Sequence, residues 1–272
     1  MTTVRTIESV PYSRVLADAL AVPGTNTMRV AEDFFGLADI VKEDQKLARA
    51  LTDPSRSASD KRALVRTAFG PHVTAATSSV AAAMASDHWA RPEDVDAALE
   101  VLGILAVLND ALRRGALDDV REELFQVRYF LQNTRDLRVR LSDLRLGDEH
   151  ERGDLASAVF ASRVSPWTMR LIRRAVGRSH HGRLLHNLRR YAAWAATMQD
   201  RLFVTVATAH PMSGAQVERL RSILSKRFDA EIDLAISIDP DVIGGFVLRA
   251  GSTAVDATVR TRLADARARI AV

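Results

Sequence analysis

The chain of 272 residues is 47% hydrophobic and 26% charged and contains no cysteine, which excludes disulfides and thiolate metal sites. No apolar run approaches the roughly 18 residues needed to cross a bilayer, and Met1–Glu8 lacks the basic-then-apolar order of a signal peptide. The expectation is a soluble protein of one large or two small domains, with any membrane association peripheral.

The net charge of +4 is unevenly spread. Between Pro92 and Leu124 the charges are mainly acidic, whereas between Arg163 and Arg201 they are almost all basic. Residues 1 to 200 read as helix almost throughout. Val30, Phe34, Leu37 and Val41 recur at the spacing of one buried helical stripe, as do Val95, Leu99, Leu102 and Leu105, and then Val120, Leu124, Val127 and Leu131. Asp53-Pro54 breaks a helix, because the residue before proline is pushed out of the α region. Ser57–Asp60 offers capping side chains. Pro71, Pro92 and Pro166 are expected near first turns, and Gly115 and Gly147 at helix ends.

Shifting the chain by 90 places lays Val30 on Val120, Phe35 on Phe125, Leu51 on Leu141 and Asp53 on Asp143. One further place lays Thr74 on Ser165 and Thr77 on Thr168. Any two amphipathic helices align at some offset, but matched loop residues favour a tandem duplication of a small helical bundle. The expected division is a first bundle over 1–112 and a second over 92–200, sharing the helix 92–113. That sharing would hold both in one rigid, elongated body. Past Arg201 the period changes. Leu202–Ala209 alternates as a strand, Pro211 and Ser213 open a helix to Phe228, strands follow at Glu231–Ile238, Gly245–Arg249 and Thr253–Asp256, and Ala257–Ile270 closes as a helix. The fold class is mainly α, a duplicated helical bundle followed by a β-α-β-β-α domain over 202–272. Glu231–Gly251 reads as a β-hairpin.

Catalytic chemistry finds no support. Neither phosphate-binding glycine pattern occurs; Gly244-Gly245 enters a strand rather than a helix, which suits a bulge or close backbone approach better than a phosphate nest. His180, His181 and His186 do not share a helical face and lack nearby ligand-spaced carboxylates, so no metal site is expected. No Gly-x-Ser-x-Gly elbow is present. Asp239-Pro240 is better explained as a turn than as part of an acid–base pair with Asp241 or Asp256. No catalytic residue and no cofactor is expected. The arginine-rich stretch could bind nucleic acid electrostatically, with Tyr191 and Trp194 stacking on bases. The alanines around those aromatics make them read as core and the basic surface as solvated or protein-facing.

The C-terminal residues resemble the δ subunit of bacterial ATP synthase, the oligomycin-sensitivity-conferring protein family. The resemblance is carried by Val206-x-Thr208-Ala209-x-Pro211-Met212-Ser213, by Asp239-Pro240-x-x-Ile243-Gly244-Gly245-x-Val247-x-Arg249-x-Gly251, and by Val255-Asp256-x-Thr258-Val259-x-x-Arg262-Leu263. Tyr12-Ser-Arg-Val15-Leu16-Ala17 is similar to the family's opening helix, and Leu51-Thr-Asp53-Pro54 to its helix-ending turn. Most members are about 90 residues shorter, the repeat length found above. The segment from Asp87 to Phe125 looks like the long form of high-GC Gram-positive bacteria, here without the stalk helix fused ahead of it in some relatives.

This resemblance implies a non-catalytic stator on the cytoplasmic face of the membrane. The helical part would bind N-terminal segments of α subunits, with Tyr12, Val15 and Leu16 as the candidate contact helix. The C-terminal domain, through Asp239, Pro240, Ile243, Gly244, Gly245, Arg249, Gly251 and Asp256, would grip the C-terminus of a b-type peripheral stalk. The alternative is a basic helical nucleic-acid-binding protein.

Overall fold

The structure, a computed structural model, describes residues 10–143, 145–178, 183–199, 201–239, 242, 245–250 and 253–256. Among these, the elements in chain order are α1 (Ser13–Ala21), α2 (Thr27–Glu43), α3 (Gln45–Thr52), α4 (Ala58–Ala68), α5 (Ala75–Ser86), α6 (Glu93–Arg113), α7 (Leu117–Asn133), α8 (Arg135–Ser142), α9 (Glu149–Phe160), α10 (Pro166–Arg178), α11 (Leu184–Thr197), β1 (Arg201–Thr208), α12 (Gly214–Phe228), β2 (Glu231–Ile238), β3 (Phe246–Ala250) and β4 (Thr253–Asp256). The architecture is mainly helical with a small C-terminal α+β part. The closing helix expected over Ala257–Ile270 lies outside the described residues.

The chain divides into two compact units between Leu117 and Asp118. The boundary expected near Arg201 is therefore not where packing separates the chain, because α7 to α11 cluster with the sheet. In the first unit α2 packs along α6, and Val30, Phe34, Leu37 and Val41 are all buried, as their spacing predicts. Gly103 makes this approach possible: a Cβ there would lie 2.6 Å from the Phe35 ring. From Leu102 through Leu108 every residue of α6 is buried, which marks a helix enclosed on all faces rather than an amphipathic one.

Local signals place most helix ends. Asn26, Asp44, Ser57 and Thr74 cap α2 to α5 through their side chains. Asp148 and Ser213 close capping boxes with Glu151 and Gln216. Gly115, at φ 68°, ends α6 with the N–H of Ala116 donating to the Ala111 carbonyl. Pro166 opens α10 as its first residue. Pro71 instead lies in the turn ahead of α5, whose cap is Thr74.

Two partly buried clamps recur. In the first unit Asp33 on α2 accepts from the Thr74 N–H at 2.7 Å and the Thr77 hydroxyl at 3.0 Å, tying α2 to the start of α5. In the second, Glu123 on α7 accepts from the Ser165 N–H at 2.9 Å and its hydroxyl at 2.7 Å, tying α7 to the start of α10. Helix bounds repeat as well: Thr27–Glu43 and Leu117–Asn133 differ by 90 positions, as do Gln45–Thr52 and Arg135–Ser142. Thr52 and Ser142 each return a hydroxyl to the carbonyl four residues earlier.

The four-stranded sheet has the order β2-β1-β3-β4, with β1 parallel to β2 and antiparallel to β3. The expected hairpin of Glu231–Gly251 is corrected by this order, since β2 and β3 flank β1 on opposite edges. The crossover through α12 delivers β2 in parallel to one edge, which leaves the other for β3. The hairpin that does form joins β3 to β4, pairing Leu248 with Val255. One sheet face packs Val204, Val206, Ile232 and Leu248 against Leu224 of α12. Ile223 of α12, an apolar position of the sequence pattern, is 53% exposed.

Removing a clamp carboxylate strands partly buried donors, which costs about 1–3 kcal/mol. Asp33→Ala and Glu123→Ala should each lower unfolding free energy by about that amount in urea titrations. A change below about 0.5 kcal/mol in both would show that the clamps carry no stability.

Candidate docking site

The residues Tyr12, Val15 and Leu16 stand at the start of α1 in the first unit. Tyr12 has a left-handed backbone (φ 64°). Its ring stacks on Trp89 with centroids 5.9 Å apart, and its hydroxyl donates to Asp87 Oδ2 at 2.6 Å. Burial first, and then the Asp87 carboxylate, push the Tyr12 phenol well above its ordinary range. Trp89 Nε1–H in turn donates to the Met84 carbonyl at 2.8 Å. Leu16 is buried, while Val15 is 37% exposed. Leu16 therefore anchors α1, Tyr12 is half-buried against Trp89, and Val15 is the most exposed of the three.

The second candidate cluster surrounds the link from β2 to β3. The Asp239 N–H donates to the Thr208 carbonyl at 2.8 Å, and the Asp239 carbonyl accepts from the Val242 N–H at 3.1 Å. Asp239 thus turns the chain across the end of β1, and β3 begins with Phe246 opposite Thr208. Thr208 adds a hydroxyl bond to the His210 carbonyl at 2.7 Å. Gly245 sits at φ 76°, a region that L side chains rarely adopt. Arg249 is exposed on β3, paired in register with Thr205 and Ala254. Asp256 ends β4 opposite Val247. Pro240, Ile243, Gly244 and Gly251 lie outside the described residues, as do His180, His181 and Asp241.

Within the second unit, the sheet face away from α12 turns toward the helices. Arg121 of α7 forms an ion pair with Asp233 of β2, both side chains largely shielded at 15% and 11% exposure. Tyr129 of α7 donates its hydroxyl to the Ile238 carbonyl at 3.1 Å, and α11 packs on β1. Nothing in the local sequence announces the Arg121 and Tyr129 pairings, because their partners lie more than a hundred positions away. The arginine-rich stretch is also less solvated than a basic run suggests. Arg174 is 8% exposed, and Arg190 lies over the rings of Tyr191 and Trp194 at 5.7 and 5.1 Å. Tyr191 is fully buried, as its alanine neighbours predict.

No arrangement of catalytic groups emerges among these residues. An enclosed cavity in the first unit is lined by apolar side chains such as Leu37, Val41, Met84 and Leu99 and has a volume of only about 20 Å³. Among the described residues no cluster of His, Asp and Glu has the make-up of a metal site. His186 is exposed and titrates low because of partial burial and then Arg190, Arg189 and Arg183.

The family model described as ATP synthase delta (OSCP) subunit matches residues 105–270. The chain belongs to this family. It is 33% identical over 258 residues to the ATP synthase subunit delta of Kineococcus radiotolerans, covering 95% of this chain and 93% of that protein. It is 34% identical to that of Beutenbergia cavernae, covering 93% of each. For the Streptomyces avermitilis subunit the identity is 30%, over 97% of each chain. The family match begins at Leu105, inside α6, so α1 to α5 precede it, whereas these relatives match across both units. Among the described residues no helix is long and apolar enough to cross a membrane.

The Arg121–Asp233 pair is shielded from water, so losing one partner leaves a poorly solvated charge. Arg121→Met or Asp233→Leu alone should lower unfolding free energy by about 1–3 kcal/mol. The double variant should recover most of that loss, as a double-mutant cycle in urea would measure.

Proposed function

We propose that this chain is the stator connector of a proton-translocating ATP synthase, holding the catalytic head to the peripheral stalk while the rotor turns. Its membership of the delta (OSCP) family carries the reading, and the relatives named above bear the name ATP synthase subunit delta. The role is mechanical and calls on no catalytic group, cofactor or metal. As such a subunit the chain would work at the cytoplasmic face of the cell membrane, peripherally, through its neighbours in the complex.

The partner assignments follow from the two candidate sites. An amphipathic partner helix is received in a groove between helices, which suits a helical bundle, and Val15 stands exposed on α1. It would receive the N-terminal segment of an α subunit. The β1–β4 sheet with α12 would hold the C-terminus of a b-type stalk subunit, with the Asp239 turn and Gly245 shaping that end of the sheet. The repeated clamps and helix bounds support two copies of one bundle, over 1–112 and 92–200, that share Glu93–Arg113.

A pull-down with the full chain against a synthetic α N-terminal segment and a stalk C-terminal segment tests the reading. Binding to both is expected, and failure to bind either one would sink it. Val15→Asp should weaken the α segment by about tenfold, about 1.4 kcal/mol, and leave stalk binding unchanged. Gly245→Val forces a β-branched side chain into a left-handed backbone at a cost of order 1–3 kcal/mol. It should weaken stalk attachment and spare α binding; equal loss of both would argue against two independent sites.

A further inference from the structure

In the first unit, α3 carries two basic side chains on one face. Lys46 and Arg49 are three positions apart on this helix, a step that sets Cβ atoms about 5–6 Å apart. Both are exposed, and among the described residues neither forms an ion pair. They line an open cleft of about 590 Å³ together with Asp53 and Arg56 of the turn after α3, and with His88 and Trp89 of the link between α5 and α6. The Asp53 carboxylate is engaged locally. It accepts from the Ser55 N–H at 2.8 Å and from the Ser55 hydroxyl at 2.7 Å, and it faces Arg56 Nε at 3.7 Å. Asp53 thus offsets Arg56 and leaves the charges of Lys46 and Arg49 uncompensated. Trp89 is a fixed wall of the cleft, held by the stacked Tyr12 ring and by its own N–H bond to the Met84 carbonyl.

A cleft walled mainly by one sign of charge concentrates the opposite sign within it. Exposed cations are well hydrated, so a single carboxylate gains little from any one of them. A ligand must reach several at once. We propose that this cleft binds a phosphate-class polyanion, one that carries consecutive phosphoryl groups. The guanidiniums of Arg49 and Arg56 present planar forks of N–H donors that match phosphate oxygens, and the Lys46 ammonium acts as a point charge. A chain of phosphoryl groups gathers its charges within the short span between Lys46 and Arg49. The carboxylates of an acidic peptide are instead spread over separate flexible side chains, each of which binding must order.

Calorimetric titration of the full chain with sodium tripolyphosphate at constant ionic strength tests this, with tryptophan fluorescence reporting where the anion sits. Saturable binding is expected, with a fluorescence change that Trp89→Phe removes while calorimetric binding persists. Lys46→Gln and Arg49→Gln should each weaken binding about fivefold, the upper end for one exposed ion pair. Arg163 is an exposed cation of the second unit, and Arg163→Gln should leave binding unchanged. A nucleoside triphosphate carries the same phosphoryl chain. Equal affinity for it assigns the site to the phosphates alone, tighter binding adds a contact with the base, and either result upholds the proposal. Absence of saturable binding overturns it, as does a fluorescence change that survives Trp89→Phe. So does an equal loss with Arg163→Gln, because binding would then follow net charge. Equal affinity for hexaglutamate also overturns it, making the cleft a surface for an acidic peptide.

Discussion

A single carboxylate in each compact unit decides where another helix starts. Asp33 and Glu123 each take up the N–H of a capping residue about forty positions later, so they satisfy donors that the beginning of a helix leaves free. A helix start carries a partial positive charge, and an anionic acceptor there is favoured on both counts. The result is that the long helices α2 and α7 fix both the position and the entry angle of α5 and α10. Once those are fixed, the short helices between them have little freedom, and the stripes of Leu, Val and Ala close over one another.

The sheet depends on a different constraint, the coverage of β1 on both faces. Val204 and Val206 pack toward α12, while Phe203, pointing the other way, is buried as well. A strand enclosed on both faces belongs in the middle of a sheet, and β1 offers one edge to each of β2 and β3. The Asp239 turn then has a definite task, which is to carry the chain around the end of β1. A motif that reads as the tip of a hairpin is in fact the crossing between two edges.

Much of this was legible in the sequence, and the limits fall along a physical line. Helix bounds follow from local chemistry: Ser57 and Ser213 are cap residues whose effect reaches three positions, and the proline at 166 fixes a first turn. The repeat at 90 positions was legible because it compares the chain with itself. Strand identity was legible from alternation, yet strand order was not, since alternation says which side a residue faces and nothing about which neighbour it acquires. The stacking of Tyr12 on Trp89 and its bond to Asp87 depend on chain some 75 positions away.

The enclosed middle of α6 has a consequence for how this protein can change over time. From Leu102 to Leu108 every position is closed to solvent, and Gly103 has no room for even a methyl group beside Phe35. Core positions of this kind accept only substitutions that keep volume and polarity. Sequence drift and new binding specificities must therefore accumulate on helices with an open side, such as α1, α4 and α12. In comparisons among relatives, α6 should be the slow clock of the chain and those helices the fast ones.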